Sequence, residues 1–201
     1  NCEISDLEPL SRLRNLRELD ICRTKVSSIE PLRNLTNLEV LNIRETHVSN
    51  LDPLKNLNNL RGLDLMDNMV TDIGPIRELN NLQSVRLNNR NNDISPLKEL
   101  INLKSLELCG TSIPDLEPIR ELINLQTLIF DNVQIDNIEP IKGLKNLQNL
   151  SFIKTKILDI KPIKELTNLK KLVIENSRYM TNKEIEELKQ DIPGLEITYY
   201  P

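Results

Sequence analysis

The chain has 201 residues, of which 38% are hydrophobic and 28% charged, and its formal net charge is −4. This composition is typical of a folded, soluble domain, and the acidic balance argues against general binding to nucleic acid or to anionic membranes. No apolar run reaches the roughly 18 residues that a membrane-spanning helix needs, and residues 1–10 lack the basic start and apolar core of a signal peptide.

The N-terminal segment enters a repeated pattern partway through a unit, at Ile4. We therefore expect an incomplete first coil, and a longer parent protein in which residue 1 is a boundary. Three cysteines, Cys2, Cys22 and Cys109, lack the spacing of a zinc site or a redox motif. They are interpreted as small residues of the repeat, although a single bridge between Cys2 and Cys22 on neighbouring coils stays open.

Proline marks a repeat along most of the chain. It recurs every 22 residues, with one interval of 21, at Pro9, Pro31, Pro53, Pro75, Pro96, Pro118, Pro140 and Pro162. Around each proline the unit reads x-P-[LI]-x-x-L-x-N-L-x-x-[LV]-x-[LIF]-x-x-[TN]-x-[VI], as in "EPLRNLTNLEVLNIRETHV". A single unit has too few apolar side chains to fold alone, so neighbouring units must stack and bury their leucines against each other.

This unit is that of a leucine-rich repeat. Over residues 4 to about 178 the chain resembles the 22-residue class of bacterial internalins and of phosphatase-regulatory leucine-rich repeat proteins. The predicted fold class is an α/β solenoid of about eight coils, with a right-handed path, a parallel sheet on the concave side and short 3-10-like turns on the convex side. A shared scaffold does not imply a shared function.

The strands are expected at one position in each coil. Their predicted ranges are 19–21, 41–43, 63–65, 85–87, 106–108, 128–130, 150–152 and 172–174, with the middle residue of each on the concave face. The resemblance implies Asn where the chain leaves each strand. This chain departs from that pattern with Thr24, Thr46, Asn68, Thr111, Val133, Thr155 and Ser177, which predicts a modified ladder of coil-to-coil hydrogen bonds.

On the convex side, a cation follows each proline by two residues in seven coils, and an acid often precedes it. We interpret this row as a solvated face that complements the local helix dipoles, rather than as a track for phosphate groups.

The concave face is the expected binding surface, because its columns are not uniformly polar. Ile129, Ile153 and Val173 are predicted to form an apolar patch, and strand propensity alone is the alternative explanation. A mixed-charge zone is predicted beside it. The candidate partner-binding residues are Arg44, Asp64, Met66, Arg86, Asn88, Glu107, Ile129, Asp131, Ile153 and Val173. Aromatic residues are scarce and Tyr lies only near the C-terminus, so we expect the partner to supply aromatic anchors.

Neither an enzyme active site nor a cofactor site is predicted. His47, the single histidine, is expected in an exposed loop without a metal ligand or nucleophile beside it, and no metal site is predicted. The 21-residue coil contains "RLNNRNNDIS", interpreted as a tolerated deletion in a surface loop, with a local recognition role as the alternative.

The repeat ends near residue 178. Thr181 and Glu184 predict a capping box, Ile185, Leu188 and Ile192 give one apolar helical stripe, and a last strand is expected at 195–199. The predicted organisation is a solenoid over 1–178 and a C-terminal cap over 179–201.

The predicted function is a non-enzymatic protein-binding module, as in the recognition part of a bacterial surface or effector protein. Alternatives are a regulatory or targeting subunit of an intracellular enzyme such as a phosphatase, and binding of a carbohydrate or another non-protein ligand. The partner, the compartment and the oligomeric state are not determined by the sequence.

Overall fold

Nine parallel strands run in strict chain order along one sheet. The computed structural model describes residues 3–88, 93–110, 112–113, 115–135, 137–157, 159–177 and 181–200. Each strand pairs with the strands of the coils before and after it. The strands are β1 (Glu18–Asp20), β2 (Val40–Asn42), β3 (Gly62–Leu65), β4 (Ser84–Leu87), β5 (Ser105–Cys109), β6 (Thr127–Asp131), β7 (Asn149–Ile153), β8 (Lys171–Glu175) and β9 (Glu196–Tyr200).

The predicted strand positions are confirmed, with small differences at the ends. β1 and β2 begin and end one residue earlier than expected, and β9 lies one residue later. The end residues of the predicted strand ranges point into the core, as for Leu41 and Ile43, which have no solvent exposure, while Leu19 is partly buried. The register keeps equivalent residues of successive coils beside each other, for example Leu106, Leu128 and Leu150. Residues 22 positions apart in the sequence thus form straight rows of side chains across the sheet.

Short 3-10 turns form the opposite side of each coil. They span Glu8–Leu10, Glu30–Leu32, Asp52–Leu54, Gly74–Ile76, Ser95–Glu99, Glu117–Ile119, Glu139–Gly143 and Lys161–Glu165. Proline opens each turn near its first position, where its missing N–H leaves no hydrogen bond unmade. An Asp, Asn or Ser oxygen two residues earlier accepts the first N–H of the turn, as Asn50 does from Asp52 at 2.9 Å. This column of Asp, Asn and Ser residues was not predicted from the repeat.

The core is a stack of aliphatic side chains between sheet and turns. Leucine, isoleucine and valine of every coil join one buried cluster that extends from Leu7 to Leu195. Two phenylalanines at inward positions of β6 and β7, Phe130 and Phe152, stack with ring centroids 5.4 Å apart. Stability therefore depends on contacts between neighbouring coils rather than within one coil.

An asparagine ladder ties the coils together along one flank. In the L-x-N-L segment, the side-chain amide donates to a main-chain carbonyl of the preceding coil, as Asn124 does to Ile101 at 2.9 Å. The same bond recurs from Asn37, Asn59, Asn81, Asn102, Asn146 and Asn168. The asparagine was visible in the repeat, but no role was predicted for it.

The strand-exit column forms the modified ladder that was predicted. Thr24 and Thr46 bond only to carbonyls of their own coil. In the C-terminal half, the Thr155 hydroxyl accepts from the Val133 N–H at 3.2 Å, and the Ser177 hydroxyl accepts from the Thr155 N–H at 3.1 Å. Hydroxyls therefore connect coils only near the C-terminus of the described column. Thr111 lies outside the described residues.

The C-terminal segment closes one end of the core. Helix α1 (Asn182–Asp191) starts at the predicted capping box of Thr181 and Glu184. Its Leu188 is fully buried, and Lys164 of the last turn bonds Glu187 of α1 at 2.9 Å. This bond raises the pKa of Lys164 and lowers that of Glu187. We infer that α1 and β9 together cap the solenoid.

The residue immediately before the strand-exit column adopts a left-handed conformation in seven coils. Side chains occupy this strained region at Arg23, Glu45, Asp67, Asn132, Lys154 and Asn176, with φ between 47° and 57°. Gly110 occupies the same position with φ 59°, and a Cβ there would meet no atom within 4 Å.

Substitution of Gly110 tests the cost of this conformation. Because there is no clash, Gly110→Ala should lower the free energy of unfolding by about 1 kcal/mol through left-handed strain alone. Gly62→Ala is the matched control, because Gly62 lies in β3 and a Cβ there would make an ordinary 3.5 Å contact with Val40 of the neighbouring strand β2. It should be neutral or stabilising by up to about 1 kcal/mol. Urea unfolding of both variants measures the difference, and equal effects would contradict this interpretation.

Candidate functional site

The concave face consists of three rows of outward side chains across the sheet. The first row is Glu18, Val40, Gly62, Ser84, Ser105, Thr127, Asn149, Lys171 and Glu196. The second is Asp20, Asn42, Asp64, Arg86, Glu107, Ile129, Ser151, Val173 and Thr198. The third is Cys22, Arg44, Met66, Asn88, Cys109, Asp131, Ile153, Glu175 and Tyr200. Seven carboxylates and three cations lie in these rows, so the face is acidic.

Arg86 binds a carboxylate on each side in the middle of the second row. Its Nη1 lies 2.8 Å from Asp64 Oδ2 on β3, and its Nε lies 2.7 Å from Glu107 Oε2 on β5. The hydrogen bond to Glu107, followed by the charge of Asp64, raises the pKa of Arg86. The predicted mixed-charge zone is therefore largely paired within the protein, and a partner would have to compete with these bonds.

The N-terminal end of the face is also internally bonded. Arg44 Nη2 lies 3.2 Å from Asp67 Oδ2, and Arg44 Nε lies 3.3 Å from Glu45 Oε1 without hydrogen-bond geometry. Asp20 accepts the Cys22 N–H at 2.9 Å and an amide N–H of Asn42 at 3.1 Å. The Cys22 N–H is the main cause of the lowered pKa of Asp20.

Two predicted contact residues differ from expectation in their accessibility. Met66 is only 5% exposed, so it presents little surface to a partner. Beside it, Arg44 of the preceding coil pairs with Asp67, the residue after Met66. Asn88 is half-buried, and its side-chain oxygen is buried without a partner in the described chain.

Aliphatic side chains occupy the C-terminal end of the face. Ile129, Ile153 and Val173 are each half-buried on β6, β7 and β8. They do not form one straight row, because Ser151 separates Ile129 from Val173 and Ile153 lies two residues further along its strand. The patch is thus a triangle of apolar groups interrupted by polar ones.

Tyr200 joins this end of the face. Strand β9 pairs Tyr199 with the inward Ile174 and Tyr200 with Glu175 of the third row. Tyr200 therefore lies on the concave face, and it is 60% exposed. The concave face therefore includes a tyrosine as well as arginines, and both residue types are favoured in binding hot spots. We define the C-terminal concave patch as Ile129, Ile153, Val173 and Tyr200. The register of β9, which has no repeat pattern, was the missing information.

Several other predicted features have a structural explanation. Cations of the convex row pair with the acid that starts their own turn, in Glu30–Arg33, Asp52–Lys55, Glu117–Arg120 and Glu139–Lys142. These pairs support the interpretation of a solvated face. His47 is exposed. Asn89 to Asn92 of the 21-residue coil lie outside the described residues, and so does Cys2, while Cys22 and Cys109 are free thiols.

A polar groove of about 550 Å³ runs along the flank before the strands. Its lining is Asn81, Gln83, Asn102, Lys104, Asn124, Gln126, Asn146 and Gln148. The asparagines use their amide N–H groups in the ladder between coils, as in the 2.7 Å bond from Asn102 to the Asn80 carbonyl. The groove is therefore a consequence of the asparagine bonds that stack the coils on each other. It was not predicted from the sequence.

Within the described ranges, His, Cys, Asp and Glu form no group of three suited to a metal ion. The helices found in the same ranges are too short or too polar to cross a bilayer.

Comparisons with known proteins agree with this architecture. The family described as leucine-rich repeats in two copies matches residues 14–56, 36–78 and 58–99. No curated protein matches the sequence significantly. The structure is similar to an internalin, InlF, from Listeria monocytogenes, with 31% identity and a TM-score of 0.76, covering 98% of this chain and 65% of that chain.

Two further solved structures are similar. Internalin C2 from Listeria monocytogenes has 28% identity and a TM-score of 0.78, covering 90% of this chain and 80% of that one. A leucine-rich repeat protein from Leptospira interrogans, LIC12759, has 25% identity and a TM-score of 0.72, covering 97% of this chain and 57% of that one. The chain therefore spans about two thirds or less of the length of the first and third of these proteins.

The Arg86 cluster generates a prediction about stability. Arg86→Gln removes both ion pairs and leaves Asp64 and Glu107 facing each other across one strand. Because Arg86 is 38% exposed and screened by solvent, the loss should be about 1 kcal/mol at low ionic strength and smaller in 0.5 M salt.

Lys171→Gln is the control for Arg86→Gln, since Lys171 lies on the same face without an ion pair among the described residues. Chemical unfolding of both variants at two salt concentrations gives the comparison. A loss that is equal in both variants, or independent of salt, would show that the cluster contributes nothing specific.

Proposed function

From the premise that the chain is a leucine-rich repeat protein resembling the internalins, we propose that it is a non-enzymatic protein-binding module that binds its partner on the concave face. Leucine-rich repeat solenoids present extended concave surfaces of this kind to their partners. Among the predicted contact residues, those of the C-terminal half are best placed to bind.

The observation that carries the proposal is the change in character along the concave face. In its N-terminal and middle part, several charged side chains are paired within the protein, as in the Arg86 cluster and in the Arg44–Asp67 pair. Toward the C-terminus, it presents the aliphatic groups of Ile129, Ile153 and Val173 and the ring of Tyr200. Apolar and aromatic groups on an otherwise polar sheet surface favour a contact with another protein.

The titrating groups support a non-enzymatic role. The shifted pKa values of Glu30, Arg33, Glu117 and Arg120 come mainly from exposed ion pairs on the convex turns. The pKa of the Cys109 thiol is raised, mainly by burial, which disfavours the thiolate that a nucleophile requires. These shifts are those of a repeated surface rather than of paired acid and base groups in a cleft.

A narrower proposal concerns the kind of protein to which this binding module belongs. Likeness to internalins supports a role as the recognition domain of a bacterial surface or effector protein. Because the chain corresponds to 65% of the InlF structure, the activity and partners of a whole protein of that kind enter here only as proposals.

Substitution of two aliphatic groups tests the binding surface. In Ile129→Glu/Ile153→Glu, a partner docked on the patch would have to bury two unpaired carboxylates, so its affinity should fall at least tenfold, about 1.4 kcal/mol. Pull-down from candidate host and native lysates, followed by titration of the captured protein, measures this loss. Circular dichroism verifies that the variant is folded.

Ile101→Glu/Ile123→Glu is the matched control. These isoleucines are 54% and 53% exposed on adjacent coils but lie outside the concave rows. The control should retain the partner. Capture of the same partner by both double variants would place the binding surface elsewhere and contradict the proposal.

A further inference from the structure

We infer that the C-terminal concave patch, together with the adjacent carboxylates of Asp131 and Glu175, recognises an arginine side chain flanked by apolar residues, presented by a protein segment of basic character. This inference rests on the proposed function, because it assigns the chemistry of the partner to the same face. It is carried by the arrangement of Asp131, Ile153, Glu175 and Tyr200 in the third row.

These four residues occupy consecutive strands. The register pairs Asp131 of β6 with Ile153 of β7, Ile153 with Glu175 of β8, and Glu175 with Tyr200 of β9. Neighbouring strands lie about 4.8 Å apart, so the two carboxylates stand about 10 Å apart on either side of Ile153. Glu175 in turn lies between an aliphatic side chain and an aromatic ring.

The two carboxylates differ from those of the Arg86 cluster because they have no cation partner among the described residues. Asp64 and Glu107 share Arg86, and Asp67 binds Arg44. The salt bridges of the described residues include neither Asp131 nor Glu175, although both side chains are half-buried. The negative charge at this end of the face is therefore available to a cation from outside.

Tyr200 makes arginine the most suitable cation. The residue is 60% exposed, so a guanidinium can approach its ring. A planar guanidinium can stack on that ring while it bonds a neighbouring carboxylate through two N–H groups. Glu175 is in the adjacent position for such a bond, and Asp131 offers a second carboxylate on the other side of Ile153.

The apolar part of the patch sets the second requirement. Ile129 and Val173 lie in the second row, next to the Asp131–Tyr200 row, and offer aliphatic surface to side chains that flank the arginine. The acidic face opposes phosphate-rich partners such as nucleic acid or anionic membranes. A basic and apolar segment of a protein satisfies both the charge and the apolar surface.

The test is to select peptides that bind the immobilised chain from a displayed random library. The affinity of individual selected peptides is then measured by fluorescence anisotropy. We expect the selected peptides to carry arginine beside apolar residues and to bind more weakly as the salt concentration increases. Their affinity should fall at least tenfold in Asp131→Asn/Glu175→Gln and in Tyr200→Ala, but not in Tyr200→Phe. Glu18→Gln, which removes a charge from the opposite end of the same face, should leave affinity unchanged.

Three outcomes would overturn the inference. Peptides without a preference for cations that still depend on Ile129 and Ile153 would refute arginine recognition while leaving the proposed function intact. Peptides insensitive to every concave substitution, or the absence of any binder, would refute both. A dimer in solution that loses its self-association in Asp131→Asn/Glu175→Gln, detected by light scattering, would show that a second copy of the chain is the occupant.

Discussion

Register between coils is the constraint on which the rest of this structure depends. Each coil must place its leucines above those of the previous coil, because one coil alone buries too little apolar surface to offset the entropy of ordering its backbone. The consequence appears in the sheet, where equivalent positions pair from β1 to β8, and in the asparagine ladder, which bonds each coil to the one before it. Outward residues are freed from packing, and their identity can serve binding.

The inward positions could be predicted from the sequence because burial imposes a strict period on them. Val85, Leu106 and Leu128 could be assigned to the core by counting alone. The chemistry of the concave face was less predictable. The sequence places Arg86 beside Asp64 and Glu107, but the bonds among them depend on side-chain conformations that spacing does not determine. Met66 likewise follows the pattern of an exposed column, yet is covered by its surroundings.

The position of Tyr200 could not be predicted from the period of the repeat. The last strand follows helix α1 instead of a repeat, so its register against β8 could not be obtained by counting from a proline. A shift of one residue exchanges inward and outward side chains. Assigning the strand to 195–199 left Tyr200 outside it, whereas the observed strand ends on Tyr200 and places its ring beside Glu175. This difference changes the interpretation of the face, since it adds an aromatic residue to the aliphatic patch.

The concave face thus has an N-terminal and middle part in which several charged side chains pair with each other, and a C-terminal part that we propose is open to a partner. Hydrogen–deuterium exchange of the chain, with and without a bound partner or selected peptide, tests this division most directly. Binding at the C-terminal part should slow exchange in β6 to β9, with little change in β1 to β3 and the convex turns. Protection confined to β1 to β3, or to the turns, would contradict it.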